Sequence, residues 1–166
     1  SQLNFPQQRD HLLQSSRTMS AQFQQQVLDE HNRLRSLHAA PPLKLNRTMC
    51  AYAQEWAEDI ARRKTLQHRT DKKYGENIYA IFGRKEVSGK DAVASWYGEI
   101  KDYTFGEKDP AGNFGKVGHF TQVVWKNCKE LGVGMATNGD SVFVVCNYDP
   151  PGNYKNQYAD NVKVAK

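Results

Sequence analysis

The residue types that most often carry out chemistry in proteins are scattered in this sequence. Its five histidines form no HExxH zinc-protease motif, and no serine lies in the Gly-x-Ser-x-Gly turn of serine hydrolases. Ser95 precedes Glu99 by four residues, but a serine on a helix surface is the ordinary interpretation. Single histidines beside helices are typical of caps, and single glutamates of solvated surface. Taken singly, His68 and His119 would therefore be solvated or capping histidines, and Glu76 and Glu99 would be surface charges.

The three cysteines form no recognisable metal or redox motif. Cys50, Cys128 and Cys146 are far apart in the chain, and none belongs to a CxxC pair. An odd, low number also argues against a scaffold of disulfides. In the hairpin predicted below, Cys128 lies beyond the residue opposite Cys146, so a bridge between these two would need the chain to bend back. We expect free thiols, although one bridge is arithmetically possible.

The composition is that of one globular domain. The chain has 166 residues, of which 39% are hydrophobic and 25% charged, and it contains no apolar run long enough to span a membrane. Its net charge of +5 favours anionic partners such as lipid headgroups or acidic glycans, or serves solubility alone. Aromatic and basic residues do not interleave in a nucleic-acid motif, so we expect no nucleic-acid partner.

Hydrophobic periodicity predicts three longer helices and a flexible start. Residues 1–19 are rich in Gln and Ser and are predicted to be a flexible arm, with a single domain over residues 20–166. A first helix is expected from Ser20, a second capped by Asn46, and a third from about Lys90. A surface loop over 101–117 and a short helix over 118–125 follow. Asn46 also begins an Asn-Arg-Thr glycosylation sequon, for which we favour chance occurrence over a glycan.

The C-terminal part predicts a β-hairpin. Asn138-Gly139 is the favoured type I′ turn, which would place Met135 opposite Val142 and Val133 opposite Val144. Both hairpin faces are apolar, and one carries small residues that would allow a helix to approach closely. We therefore predict an α/β (α+β) fold, a three-layer α-β-α sandwich with a mainly antiparallel central sheet.

Five segments follow one another along the chain: 31–33 (HNR), 75–78 (GENI), 96–100 (WYGEI), 118–125 (GHFTQVVW) and 146–154 (CNYDPPGNY). Together they resemble the CAP superfamily, also called the SCP domain, which includes cysteine-rich secretory proteins, antigen 5 proteins and plant pathogenesis-related proteins. The likeness covers about residues 20–160 and is to the Golgi-associated plant pathogenesis-related branch. Secreted relatives usually have a cysteine at the position of Val133, so the resemblance implies a peripheral membrane protein of the Golgi or cytoplasmic face, with an extracellular, secreted protein as the alternative.

The resemblance implies a cleft built from four residues. The family's tetrad maps onto His68, Glu76, Glu99 and His119. His68 and His119 would be the metal ligands, for Zn²⁺, with a carboxylate beside each histidine. A zinc-dependent protease or esterase with Glu76 or Glu99 as general base is one reading, but two histidines are fewer ligands than catalytic zinc usually has.

The reading that we prefer is a binding module and not an enzyme. The resemblance implies lipid or sterol ligands, an anionic membrane surface and a possible homodimer. Loop aromatics could supply an apolar, lipid-contacting edge, although Trp96 and Tyr97 are expected to face the core. The remaining candidates for that edge are Tyr103, Phe105 and Phe114.

Overall fold

The computed structural model describes the backbone from Phe5 to Lys166 and the side chains from Ser20 onward. Within these residues no helix combines the length and apolarity that membrane crossing requires. Short 3₁₀ turns occupy Gly98–Asp102 and Ala111–Asn113. The helices and strands in chain order are α1 (Phe5–Leu37), β1 (Lys44–Leu45), α2 (Arg47–Arg63), β2 (Gly75–Phe82), α3 (Gly89–Tyr97), α4 (Phe114–Val124), β3 (Glu130–Asn138), β4 (Ser141–Asp149) and α5 (Tyr158–Asn161).

The described strands form one sheet with the order β1-β3-β4-β2. β4 lies between β3 and β2 and is antiparallel to both, whereas the two-residue β1 is parallel to β3. Helix α2 covers one face of the sheet, and α1, α3 and α4 cover the other. The predicted three-layer sandwich is confirmed, and the short β1 makes the sheet mixed at one edge.

Close packing of α2 against β3 depends on two glycines. A Cβ atom on Gly132 would lie 2.4 Å from the backbone of Met49, and one on Gly134 would lie 2.4 Å from the backbone nitrogen of Gln54. The predicted approach of a helix to this face is therefore confirmed. Asn46 caps α2 as expected, because its Oδ1 accepts the Met49 N–H at 3.1 Å. Its Nδ2, where a glycan would attach, donates to Glu130.

The predicted hairpin is present, but its register was wrong by two residues. Met135 pairs with Val144, not Val142, and Asn138 pairs with Ser141. The turn is Gly139–Asp140, with Gly139 at φ +62°, as the first central position of a type II′ turn requires. Asn138 is retained in β3 because its Nδ2 donates to the carbonyl of Ala61 in α2. A register shift of two residues keeps each side chain on the same face of the hairpin, so the predicted faces are correct.

The first helix begins at Phe5, so the prediction that it begins at Ser20 was wrong. Nothing between these residues stops a helix, because Pro6 lies in the first turn, where proline is tolerated. Residues 5–19 of the predicted arm are therefore helical, and residues 1–4 lie outside the described residues. The division of the chain at residue 20 stays a prediction.

A buried arginine joins α1 to the C-terminal half of the chain. The Arg35 guanidinium is fully buried and donates to the carbonyls of Pro41, Val123, Trp125 and Cys128 at 2.8–3.1 Å. Burial lowers the pKa of Arg35 to about 10, so it remains a cation at neutral pH. Since α4 ends at these acceptors, the contact fixes the position of α4 relative to α1.

Most of the proposed lipid-contacting aromatic edge belongs to the core. Trp96 is buried, and Tyr97 packs partly buried against the main core, as expected. Tyr103 is also buried, and Phe105 packs against it with ring centroids 5.0 Å apart. Of the three candidates left open for an exposed edge, Tyr103 is therefore excluded and Phe105 is only partly exposed, because edge-to-face ring contacts draw this loop inward. Phe114 is the member that is exposed.

The three cysteines are buried free thiols in the structure. Burial raises the pKa of Cys128 to about 12, and its Sγ contacts the carbonyl of Pro150. The pKa of Cys146 is raised well above its ordinary range for the same reason. These two thiols are therefore protonated at neutral pH.

Candidate functional site

The first histidine of the site lies in the loop between α2 and β2. The Nδ1 of His68 is 2.8 Å from Oε1 of Glu76, which belongs to β2. The same oxygen accepts the backbone N–H of Arg69 at 3.0 Å. The Glu76 side chain is largely buried, whereas that of His68 is 60% exposed. Strand β2 therefore positions the Glu76 carboxylate, and this carboxylate orients the exposed His68 imidazole.

The second histidine lies within α4. The Nδ1 of His119 is 2.8 Å from Oε2 of Glu99, in the 3₁₀ turn after α3. The other oxygen of Glu99 accepts the backbone N–H groups of His119 and Phe120 at 2.9 and 3.1 Å. With both oxygens engaged, Glu99 orients the imidazole and fixes the backbone that carries it.

The two histidines line one cavity. His68, Glu76 and His119 border a space of about 190 Å³, and Glu99 lies behind His119 rather than at the cavity wall. Since each Nδ1–H donates to a carboxylate, each Nε2 carries a lone pair in the neutral imidazole. Neither Nε2 makes a hydrogen bond to any residue within the described part of the chain. The arrangement offers two imidazole nitrogens to a ligand.

A second cavity adjoins the first. It has a volume of about 380 Å³ and shares His68 and Glu76 with the smaller one. Phe114 and Tyr154 line it, and both are about half exposed. Together the two spaces form a cleft with polar groups at the histidines and aromatic side chains at the mouth. We call this the histidine cleft.

Two asparagines that the sequence analysis did not single out connect the walls of the histidine cleft. Asn153 has φ +63° and bonds Thr121 through Oδ1 at 2.6 Å and the carbonyl of Gly118 through Nδ2 at 2.9 Å. Asn77, on β2, donates to the carbonyl of His119 at 3.1 Å. Asparagine tolerates a positive φ better than most residues, which was the available signal for Asn153. Asn77 gave none, because its partner is distant in sequence.

The donor set fits a metal ion with few protein ligands. Imidazole nitrogens are suitable ligands for Zn²⁺, and a carboxylate on the other nitrogen is the usual supporting contact. In the part of the chain that the structure describes, no three His, Cys, Asp or Glu side chains converge as a metal site. His68 and His119 would therefore bind a cation whose remaining positions are open to water or a ligand.

The largest cavity that we discuss lies away from the histidine pairs. Its volume is about 710 Å³, and it is bounded by the Pro41–Pro42 segment and residues near α5. Lys44, Lys126 and Lys129 line it together with acidic residues. Its walls have charges of both signs and no histidine, so size alone does not identify the site.

Comparison with known proteins supports the resemblance. The model of the cysteine-rich secretory protein family (CAP) matches residues 28–148. The human Golgi-associated plant pathogenesis-related protein 1 is 39% identical over 152 residues, covering 88% of this chain and 96% of the relative. A pathogenesis-related protein of PR-1 type from Sambucus nigra is 38% identical over 135 residues, 80% of this chain and 79% of the relative. The relatives thus include Golgi-associated and pathogenesis-related proteins.

Solved structures show the same fold at low sequence identity. Na-ASP-1 has a TM-score of 0.72 at 23% identity. The match covers 87% of this chain and 42% of the Na-ASP-1 chain. NaASP2, in a structure with Zn²⁺, has a TM-score of 0.69 at 24% identity. The match covers 87% of this chain and 86% of the NaASP2 chain. These similarities establish the α-β-α sandwich.

Proposed function

Because the chain belongs to the cysteine-rich secretory protein (CAP) family, we propose that it is a binding module whose histidine cleft takes a divalent cation such as Zn²⁺. One observation carries the proposal: both imidazoles have Nδ1 held by a carboxylate, and both border one cavity. That pairing fixes the tautomer and leaves Nε2 as the ligand atom. A cation bound there would supply a positive centre with open positions for an anionic group.

The shape of the cleft suits an amphipathic ligand. A polar headgroup would lie at His68 and His119, and an apolar portion would contact Phe114 and Tyr154 at the mouth. Ligand sites commonly combine an apolar lining with a few convergent polar groups. We therefore propose lipid-like anions as the ligand class, with anionic membrane surfaces as their source.

We prefer binding to hydrolysis because of how the carboxylates are used. Both oxygens of Glu99 accept hydrogen bonds from α4, so this carboxylate is a poor general base for water. Glu76 uses one oxygen, Oε1, to hold both His68 and the backbone N–H of Arg69, which ties this carboxylate to the loop rather than to a water. Ser95 is exposed on α3 and is not among the residues that line the cleft.

Calorimetric titration of the metal-free protein with Zn²⁺ tests the proposal. We expect about one bound ion, with affinity lowered at least tenfold by His68→Ala or His119→Ala. Glu99→Gln should weaken binding about tenfold, as loss of a supporting carboxylate does elsewhere. Glu58→Gln, an exposed carboxylate on α2, is the matched control and should bind as the parent does.

Two results would contradict the proposal. One is unchanged Zn²⁺ affinity in both histidine variants, and the other is an equal loss in the Glu58→Gln control. Thermal unfolding without metal checks that each variant is folded. Competition by a vesicle-free short-chain phosphatidate then tests whether the headgroup chemistry alone is recognised.

A further inference from the structure

His68 lies in the segment between α2 and β2, which is neither helix nor strand. Its imidazole is 60% exposed and makes one hydrogen bond, from Nδ1 to the Glu76 carboxylate. A single contact on an exposed ring does not by itself set where the ring lies. The position of this imidazole therefore depends on what fixes the backbone on either side of it.

Both neighbours of His68 are tied to one face of α2. The carbonyl of Gln67 accepts the Nε1–H of Trp56 at 2.9 Å. On the other side, the Arg69 guanidinium donates from Nη1 to the carbonyl of Tyr52 at 2.9 Å. Its Cζ also lies 3.6 Å from the centroid of the Tyr52 ring. We call these contacts of Arg69 with Tyr52 the arginine clamp.

The arginine clamp is largely buried. The Arg69 side chain is 17% exposed, whereas that of Glu55, its ion-pair partner, is 75% exposed. An ion pair with so exposed a partner contributes little, so the carbonyl and the ring of Tyr52 are the contacts that matter. The Arg69 backbone is fixed as well, because its N–H donates to Oε1 of Glu76, the oxygen that holds His68. Arg69 thus joins α2 to β2 beside the histidine.

We propose that Arg69 is a positioning residue of the cation site, which holds the His68 backbone so that the imidazole reaches both Glu76 and the cavity shared with His119. The inference rests on the proposed function, since it concerns the same cation. Lysine cannot replace Arg69, because an ammonium lacks the planar fork that donates in two directions while it stacks on a ring. The imidazole itself keeps its freedom to turn toward a ligand.

Charge alone predicts the opposite effect of losing Arg69. Its side chain lines the second cavity of the histidine cleft together with His68 and Glu76, so its positive charge lies near the proposed cation. Removing a like charge should strengthen cation binding, whereas removing the clamp should weaken it. Arg69→Lys keeps the charge, so an electrostatic role predicts unchanged affinity and the clamp predicts a loss.

Calorimetric titration with Zn²⁺ separates these cases. We expect Arg69→Ala and Arg69→Lys to bind about tenfold more weakly than the parent, as after loss of other outer contacts of metal ligands. Arg62→Ala is the matched control, because this arginine of α2 is 73% exposed and lies outside the cleft, and it should bind as the parent does. Parental affinity in Arg69→Lys, or tighter binding by Arg69→Ala, would overturn the proposal.

A measurement on metal-free protein keeps this inference separate from the proposed function. In the parent, NMR nitrogen shifts of neutral His68 should show one tautomer, with the proton on Nδ1, because Glu76 accepts it. Both Arg69 variants should show a mixture of tautomers at His68, whereas His119 should keep the Nδ1–H form and so report an intact fold.

The two measurements fail in different ways. If the parent binds no Zn²⁺, the proposed function is wrong, and a tautomer mixture in the variants still shows that the clamp positions His68. If the parent binds Zn²⁺ and His68 keeps a single tautomer in both Arg69 variants, the clamp is wrong and the proposed function stands.

Discussion

His68 and His119 have the same kind of partner but different freedom. Each donates from Nδ1 to a glutamate at 2.8 Å, yet the His68 side chain is 60% exposed and that of His119 is 34% exposed. His68 depends on one carboxylate contact in a loop, whereas His119 is also fixed by its helix. His119 is therefore the anchored ligand in the proposed cation site, and His68 is the adjustable one.

A third histidine acts in stability rather than binding. His31 is fully buried in α1, with Nδ1 2.8 Å from the carbonyl of Val27 and Nε2 2.7 Å from the Tyr148 hydroxyl. Burial lowers the pKa of His31 to about 4, compared with about 6.5 for an unfolded chain. The folded state thus keeps this side chain neutral where the unfolded state protonates it.

Acidification should therefore destabilise the protein through His31. Between pH 6.5 and 4 the unfolded chain binds the proton and the folded chain does not, so stability falls as the pH falls. From pH 7 to pH 5 the His31 contribution is about 2 kcal/mol. Urea unfolding at both pH values measures it, and His31→Phe should remove that part of the decrease.

The carboxylate of Glu30 does not complicate this comparison. A hydrogen bond from Arg33 lowers the pKa of Glu30, so its stabilisation is lost only below its ordinary titration range, at lower pH than the measurement uses. An identical pH dependence in the parent and in His31→Phe would show that our assignment of the acid sensitivity to His31 is incorrect.

At the scale of elements, the glycines of β3 control how closely α2 packs. A Cβ on Gly132 would overlap the Met49 backbone, and neither partner can rotate away. Gly132→Ala should lower the free energy of unfolding by about 1–3 kcal/mol, as overpacking does elsewhere. Urea denaturation measures the change. Gly98→Ala is the control, because its Cβ would meet no atom within 4 Å and its backbone is right-handed helical.

An equal loss in the two glycine variants would mean that side-chain volume at the sheet is not the cause. In that case, a backbone effect common to both positions would have to be considered. The comparison is informative because the two substitutions add the same methyl group in very different surroundings.

The elements that could be predicted from sequence are those whose signal is local. Periodicity and a capping residue predicted helix α2 and its Asn46 cap. The alternation of side chains predicted the two faces of the hairpin. The turn position was not, since Asn138 is retained in β3 by a contact with Ala61, distant in sequence. The start of α1 was missed because polar residues without a breaker are compatible with both coil and helix.

Only part of the candidate site could be predicted from the sequence. The tetrad followed from resemblance, because His68 and Glu99 have no distinctive local pattern of their own. Asn77 and Asn153 act through contacts with α4 that only the folded chain creates. Likewise, the sequence could not show that Tyr103 is buried while Phe114 is exposed.

At the scale of the whole molecule, the net charge of +5 should bring the protein to acidic membranes. We expect co-sedimentation with vesicles containing phosphatidylserine, decreasing as salt increases, and little with neutral vesicles. The double variant Lys126→Glu/Lys129→Glu should bind several-fold less, and Lys126→Arg/Lys129→Arg, which keeps the charge, should bind normally. Both positions are exposed. Equal retention on neutral vesicles would contradict the electrostatic explanation.

Three of the four carbonyls that accept from Arg35 are far from it along the chain. Its contact with Cys128 spans 93 residues, so a growing polypeptide exposes the guanidinium long before those carbonyls have been synthesised. Until then water must solvate the charge, because dehydrating it without partners is costly. Helix α1 can thus take its final place only after residues 123–128 have been synthesised and have left the ribosome.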